Sequence, residues 1–315
     1  MPERKPIVVV GSINMDLVTL VNRIPGAGET ILGEDLQTHP GGKGANQAVS
    51  VARLGYPVKL IGRVGTDSFG AQLRSHLQNV GVDCSGVMTT MGASGVALIA
   101  VTTRGENSIV VAPGVNARLS PSDIDDNIAT IKAAGAVLTQ LEIPFETVSH
   151  LVDVCSAHCI PLILDPAPAT SLPNSVLHRV TWFTPNETEA AFFLGGAEGW
   201  DVSAPLERAR ALRSGGLRGV ILKLGSRGAF LSDGDKEEHV RAFQVKVLDT
   251  TAAGDAFNGA FATGLMLGKS PLASALFASA AAAVSVTRAG AQAAMPSLEE
   301  VEALIVSTGD GGEQL

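Results

Sequence analysis

Aromatic side chains are scarce, 4% of 315 residues, so the core has to be built from Val, Ile, Leu and Ala. Cysteine is scarcer still. Cys84, Cys155 and Cys159 are too few and too odd in number for a disulfide framework, and a reducing compartment is the simpler expectation. Positive charge is in deficit, with 23 Lys and Arg against 31 Asp and Glu and a net charge of −8. That argues against a general nucleic-acid or anionic-membrane footprint, while leaving a local phosphate site open. Long apolar runs are missing too. Four apolar residues, Ile7 to Val10, precede Gly11, short of the ~7–15 a signal peptide needs. The most hydrophobic region, Ala256 to Val286, carries Asn258, Lys269, Pro271 and many Ser and Gly residues, so it reads as two buried helices and not a membrane span. A cytoplasmic globular protein is expected. Apolar residues make up 45% and charged residues 17%, which excludes disorder for the bulk of the chain. The 35 glycines, about 11% against a usual ~7%, point to tight turns or close approaches of backbone to ligand. The length allows about two domains or one large α/β domain.

Short apolar runs recur at Ile7–Val10, Val58–Ile61, Ala136–Leu141, Pro161–Leu164 and Val220–Leu224. Between them lie helical patterns over Ala45–Leu54, Phe69–Val80, Pro121–Ala134, Phe145–His158 and Leu206–Ser214. Strands apolar on both faces, alternating with amphipathic helices, imply a mostly parallel sheet covered on both sides. Two stretches read instead as hairpins: Leu17–Leu20 with Ile31–Thr38 around Pro25–Gly28, and Val96–Thr102 with Ser108–Ala112 around Arg104–Asn107. Together they form a small β unit hung on the main sheet. Asp233-Gly234-Asp235 makes a third hairpin tip, no fixed-period repeat is visible, and Gly309 to Gln314 reads as a loose tail.

Neither G-x-x-x-x-G-K-[ST] nor G-x-G-x-x-G occurs, for Gly268-Lys269-Ser270 is preceded by Thr263 where the first glycine belongs. G-x-S-x-G and H-E-x-x-H are absent as well. Cys155, His158 and Cys159 share a helical spacing but have no partner cluster, so packing is their expected role. The strongest local signal is Asp249-Thr250-Thr251-Ala252-Ala253-Gly254-Asp255, read as following a strand over Phe243–Leu248 and opening a helix. A turn of small residues at a helix start aims free N–H groups and the positive dipole end at an anion. Asp255 inside that turn is either an ordinary helix cap or a base set beside a phosphate. Gly41-Gly42-Lys43-Gly44-Ala45-Asn46-Gln47 is a second glycine turn before a helix. Asn14 and Asp16 follow the first strand, where open α/β sheets bind ligands, and suit vicinal hydroxyls. Asn186 and Glu189, after a strand over Val180–Phe183, are oxygen groups a helical turn apart, fit for Mg²⁺ or its waters. Leu224-Gly225-Ser226-Arg227-Gly228 ends another strand in a glycine turn.

On the stretches 41–47, 184–189 and 249–255, in this order, the chain resembles the ribokinase-like (PfkB-type) carbohydrate kinases from Val8 to Pro296. The resemblance implies one kinase domain over 1–315, a three-layer α/β/α sandwich with a mostly parallel sheet. It also implies a β lid from about 15–40 and 95–113, through which two copies dimerise. It further implies transfer of the ATP γ-phosphoryl group to the 5-hydroxyl of D-ribose. Other sugars or a nucleoside (deoxyribose, fructose, adenosine), or a non-catalytic sensor, are the alternatives. Carried over, Asn14, Met15, Asp16, Gly42, Lys43, Gly44, Ala45, Asn46 and Glu142 line the sugar site. Asp255 is the general base, and Ala252, Ala253, Gly254 and Asp255 form the anion hole. Asn186 meets nucleotide phosphate or its Mg²⁺ together with Glu189. Lys223, Leu224, Gly225, Ser226, Arg227 and Gly228 form the nucleotide wall, with Ser279 on the adenine side. A K⁺ ion is implied between Asp249, Thr251, Ser285, Arg288, Gly290 and Ala294. Three positions depart from the family's habit: Ala252 replaces a commoner Gly, Ser279 an Asn or His, and Ala294 a Ser.

Overall fold

The computed structural model describes residues 4–102, 104–195 and 204–308, so the expected tail at 309–314 lies outside it. Its strands are β1 (Ile7–Val10), β2 (Asn14–Val21), β3 (Gln37–Gly41), β4 (Val58–Gly65), β5 (Asp83–Thr90), β6 (Gly95–Thr102), β7 (Asn107–Ala112), β8 (Ala136–Thr139), β9 (Leu162–Leu164), β10 (Trp182–Phe183), β11 (Gly219–Lys223), β12 (Ala229–Ser232) and β13 (Glu237–Val240). Nine of them form one sheet in the order β13-β12-β11-β10-β9-β8-β1-β4-β5, parallel from β11 to β5. The hairpin over Asp233–Asp235 makes β12 antiparallel to β13, and the turn over Gly225–Gly228 makes it antiparallel to β11.

The helices are α1 (Lys43–Arg53), α2 (Ser68–Asn79), α3 (Pro121–Asp126), α4 (Ile128–Lys132), α5 (Phe145–Ala157), α6 (Asn174–Leu177), α7 (Glu187–Phe193), α8 (Pro205–Ser214), α9 (Ala253–Met266), α10 (Pro271–Ser285) and α11 (Leu298–Ser307). Successive side chains of a strand point to opposite faces, and β1 shows the consequence. Ile7 and Val9 pack with α1, α2, α9, α10 and α11, whereas Val8 and Val10 pack with α3 to α8. The sheet is therefore covered on both sides, and this is the expected three-layer sandwich. On the first face the aromatics are few but well used: Trp182 meets Phe261 edge-on with ring centroids 5.2 Å apart, a geometry that contributes roughly 0.5–1.5 kcal/mol beyond burial.

The chain turns from β1 outward to β4 and β5, then returns to the other side of β1 as β8, β9, β10 and β11. The strand order thus reverses between β1 and β8, and the crevice beyond their carboxyl ends is the place where such sheets bind ligands.

The lid is a separate four-stranded sheet, β3-β2-β6-β7. Its two hairpin units are joined by a parallel pairing of β2 with β6, which hairpin reasoning alone does not show. Ile31–Thr38 is not the strand expected: pairing with β2 begins only at Gln37, and Leu32 and Leu36 stand exposed in the irregular stretch before it. Phe243–Leu248 is not a strand either. The sheet ends at β13, and this segment runs outside it, with its side chains lining a cavity. Pro121–Ala134 breaks at Asn127, whose side-chain amide donates to the Asp123 carbonyl at 2.8 Å. Val180–Phe183 shortens to the two residues of β10. β5 carries no apolar run and was not expected.

Candidate active site

Two short turns leave β1 and α1 in contact. Gly44 must be glycine, because a Cβ there would stand 2.6 Å from the Gly11 carbonyl carbon and 2.7 Å from the Ser12 amide nitrogen. Gly42 takes φ 88°, the left-handed region that favours glycine, and so turns the chain sharply into α1. The close approach brings Ser12 Oγ to donate to Glu142 Oε2 at 2.5 Å, while the Lys43 backbone N–H donates to the same oxygen at 3.2 Å. Asn14 is fixed by a residue the motifs do not reveal: Asn116 Nδ2 donates to Asn14 Oδ1 at 2.8 Å. Asp16 lies beside Gly41, where any Cβ would collide with its carboxylate. Burial, reinforced by Glu142 and Asp255, pushes the Asp16 pKa up to about 7. Asn14, Asp16, Glu142, Asn46 and Asp255 thus gather as a set of donors and acceptors of the kind that hydroxyls take. Met15 and Ala45 point into the core instead.

The second half of the site is the start of α9. Ala252 caps it at φ 57°, ψ 15°, a left-handed conformation that costs an L-residue about 1–2 kcal/mol. The cap turns the first N–H groups of the helix outward. Ala253 N–H already donates to Thr250 O at 3.2 Å, and those of Gly254 and Asp255 belong to the first turn, which has no intrahelical acceptor. A cavity of about 480 Å³ opens over this turn, lined among others by Lys43, Asp165, Asn186, Glu189, Lys223 and Gly254. Two ammonium groups facing a helix N-terminus make a phosphate-type site.

The carboxylates around the Lys43 ammonium decide its state. Burial acts to discharge it, but Asp255, Asp165, Glu142 and Glu189 outweigh burial and raise its pKa. Asp255 is itself raised, chiefly by burial, with Lys43 pulling it down and Asp165 pushing it up. Both its oxygens accept hydrogen bonds, from Gln47 Nε2 and from Asn46 Nδ2, each at 3.0 Å. Asp165, which no motif marked, accepts from Lys223 Nζ at 2.8 Å.

Asn186 and Glu189 form a capping box at α7: Asn186 N–H and Nδ2 donate to the two Glu189 oxygens, and Glu189 N–H donates to Asn186 Oδ1. Burial pushes the Glu189 pKa up, against the pull of Lys223. Their oxygens, with the Asp165 carboxylate, give the same cavity the hard donor set that suits Mg²⁺ and its waters.

A second, largely apolar cavity of about 300 Å³ adjoins the first. Lys223, Gly225, Ser226, Gly228 and Ser279 line it with Phe243, Val245 and Phe257. Two expected wall residues do not reach it: Leu224 is buried in the core, and Arg227 pairs with Glu187.

Asp249 joins two loops. Its Oδ1 accepts from Thr251 N–H at 2.9 Å and Thr251 Oγ1 at 2.7 Å, and its Oδ2 from Gly290 N–H at 2.8 Å. Burial works to raise its pKa, but these donors outweigh it and hold the carboxyl low. Ser285 Oγ donates to Ala282 O, Arg288 pairs with Glu300, and Ala294 is fully buried. Cys155 is buried and Cys159 exposed, and among the described residues no metal-binding cluster of His, Cys, Asp and Glu is found.

Known proteins match this chain over nearly their whole length. Ribokinase from Bacillus subtilis is 42% identical over 300 residues, 95% of this chain and 99% of that one. Deoxyribokinase from Salmonella typhimurium is 37% identical over 297 residues, 93% of this chain and 96% of that one. The structure of Arabidopsis thaliana ribokinase complexed with ribose and ATP superposes with a TM-score of 0.87 at 34% identity, covering 96% of this chain and 99% of that one. The family model described as pfkB family carbohydrate kinase matches residues 4–298. With phosphate-type and hydroxyl-binding halves meeting at one buried carboxylate, this chain belongs to the pfkB family of carbohydrate kinases.

Proposed function

We propose that the protein transfers the γ-phosphoryl group of ATP to the 5-hydroxyl of D-ribose. The observation that carries the reading is the place of Asp255: a buried carboxylate in the first turn of α9, touching Asn46 of the hydroxyl-binding half and lining the phosphate cavity. A primary alcohol is a poor nucleophile, so its proton passes to Asp255 as its oxygen bonds to phosphorus. The bond from phosphorus to the β–γ bridging oxygen breaks, and ADP departs with that electron pair. The first N–H groups of α9, with Lys43 and Lys223, stabilise charge on the transferred group. Mg²⁺, held through Asn186, Glu189 and their waters, supplies further neutralisation when bound. The apolar cavity beside Ser279 receives the base, and the lid excludes water that otherwise competes for the phosphoryl group.

Ribokinase and deoxyribokinase relatives at similar identity make 2-deoxyribose the second reading. Coupled ADP-release assays across ribose, deoxyribose, fructose and adenosine separate them. Ribose is expected to give the highest kcat/KM. A higher value with fructose or adenosine overturns the substrate assignment and leaves the fold untouched.

A further inference from the structure

We infer that Gln140 and Gln47 form a relay of side-chain amides that orients the Asp255 carboxylate and ties it to the Asp165–Lys223 ion pair, which makes both glutamines positioning residues for the transfer. The inference rests on the kinase reading of the site.

Gln140 directly follows β8, is fully buried, and lies outside every sequence motif. Its Nε2 donates to Gln47 Oε1 at 2.6 Å. With its oxygen held there, the Gln47 amide has one orientation left: its Nε2 faces two carboxylates. It donates to Asp255 Oδ1 at 3.0 Å and to Asp165 Oδ2 at 3.1 Å, so each of its two hydrogens has an acceptor. The other Asp165 oxygen accepts from Lys223 Nζ, which lines the phosphate cavity. A shorter copy of the device stands on the opposite side. Gln292 Nε2 donates to Asn46 Oδ1 at 3.0 Å, and Asn46 Nδ2 donates to Asp255 Oδ2. Every amide thus turns its acceptor outward and its donor toward the base.

The far end of the relay is built at some cost. Gln140 Oε1 is buried without a hydrogen-bond partner, and it occupies the space that a Cβ on Gly11 would fill. An orphaned amide oxygen is unfavourable. Reversing the Gln140 amide would satisfy nothing at Gln47, because two carbonyl oxygens would then face each other. The orientation is dictated downstream, by the carboxylates.

Removing the Gln140 donor leaves Gln47 Oε1 buried without its partner, so the Gln47 amide is held only from its carboxylate side and its Nε2 loses its fixed place against Asp255 and Asp165. The charged and titratable groups that face Asp255 are Lys43 from α1, Asp165 after β9 and Asp16 from β2, with Lys223 of β11 behind Asp165. None of them compensates for a lost neutral donor. Gln140 touches neither cavity, so substrate contacts survive its replacement.

The test is Gln140→Leu, Gln47→Leu and the double variant, in the full chain. The expected result is a roughly 10–100-fold fall in kcat for Gln140→Leu, with KM for sugar and ATP within about threefold. The acid limb of the kcat–pH profile is expected to move to higher pH. In the Gln47→Leu background the Gln140 change should add almost nothing, since the two act in series. Titration of the Asp255 carboxyl by ¹³C NMR on aspartate-labelled protein reads the same upward movement without turnover, and so tests the relay even if ribose proves not to be the substrate. If Gln140→Leu does not fold, Gln140→Met keeps nearly the same length and volume and removes the donor without adding a charge. An unmoved acid limb and titration, or fully additive losses, overturn the relay.

Discussion

A base for an alcohol must hold its proton more tightly than a free carboxylate does, yet be ionised when substrate arrives. Asp255, the base proposed above, is placed to meet both demands by opposed effects: burial and Asp165 raise its pKa, while Lys43, Asn46 and Gln47 hold it back. Asp255→Asn keeps shape and hydrogen bonding but removes proton acceptance, so kcat is expected to fall by roughly 10²–10⁴ or more. Ribose binding by calorimetry should weaken far less, and intact binding with near-normal turnover would remove the role. Asp16 gives a stability prediction in the ligand-free protein. Its pKa near 7 means that the folded chain holds this proton more tightly than the unfolded chain does. As pH rises from about 4 the unfolded state releases its proton first, so stability is lost until about pH 7 and is level above it. Asp16→Asn lacks that loss. Its advantage over the parent should be small near pH 4 and grow to ~2–4 kcal/mol by pH 8, read by urea unfolding at both values; an equal gap at the two pH values contradicts the assignment. Which residues do this work was only partly legible. Asp255 and Asn46 sit in recognisable turns and Asp16 just after the first strand, while Glu142 comes only from the family resemblance. Asp165, Asn116, Gln140 and Gln292 carry no such mark, because their roles arise from contacts such as Asn116 with Asn14, 102 residues apart, and Gln292 with Asn46, 246 apart.

Among elements, those written as continuous apolar runs between helices were legible, because burial on both faces demands such runs. Those whose form is set by neighbours were not. Phe243–Leu248 has strand-like residues but pairs with no strand, and its apolar side chains serve a cavity instead. Arg227, drawn from a promising glycine turn, is taken by Glu187. The turn 249–251 and the loop at 288–290 form an element pair whose purpose the carboxylate of Asp249 suggests. Held below its usual range by Thr251 and Gly290, it stays ionised and offers oxygen beside the anion-hole turn. Backbone carbonyls of Thr251, Ser285, Arg288 and Gly290 can add the neutral oxygens that a large monovalent cation takes. A K⁺ ion there adds positive charge and orders the start of α9. Ala294 contributes no hydroxyl, where the family resemblance implies a Ser. Activation by K⁺ is therefore expected at a higher half-saturating concentration than in Ala294→Ser. Titration with KCl in tetramethylammonium buffer at constant ionic strength measures it, and equal rates with and without K⁺ remove the site.

At the scale of the whole molecule, the strand order sets the site and the lid completes it. Reversal between β1 and β8 leaves a crevice that α1 and α9 enter with their N-termini, so anion-binding ends and turns suited to hydroxyls meet with no G-x-x-x-x-G-K-[ST] loop. The lid shares this frame, since β2 carries both Asn14 and Asp16. Strand register extends that geometry outward: Asp16 pairs with Ala97, and Ala97 with Val111, so Val111 and Ile109 stand on the site-facing side of the lid. Directly opposed residues share a face, and alternate residues change it. Ile109 is 52% exposed and Val110 61%, and all six residues of β7 are exposed. An uncovered apolar edge strand is a place for another chain to pair or pack. We propose that a second copy covers it, lid against lid, as the family resemblance implies. Such an interface is apolar, so dissociation should respond weakly to salt and strongly to one buried charge. Ile109→Asp lies on the edge strand, two register positions beyond Asp16. It is expected to turn a dimer into a monomer in sedimentation equilibrium at micromolar concentration, with thermal unfolding of the core little changed. It should also raise KM for the sugar, because a lid without its partner closes less often. A parent protein that sediments as a monomer at the same concentration overturns the dimer, and the exposed strand then has no partner of its own kind.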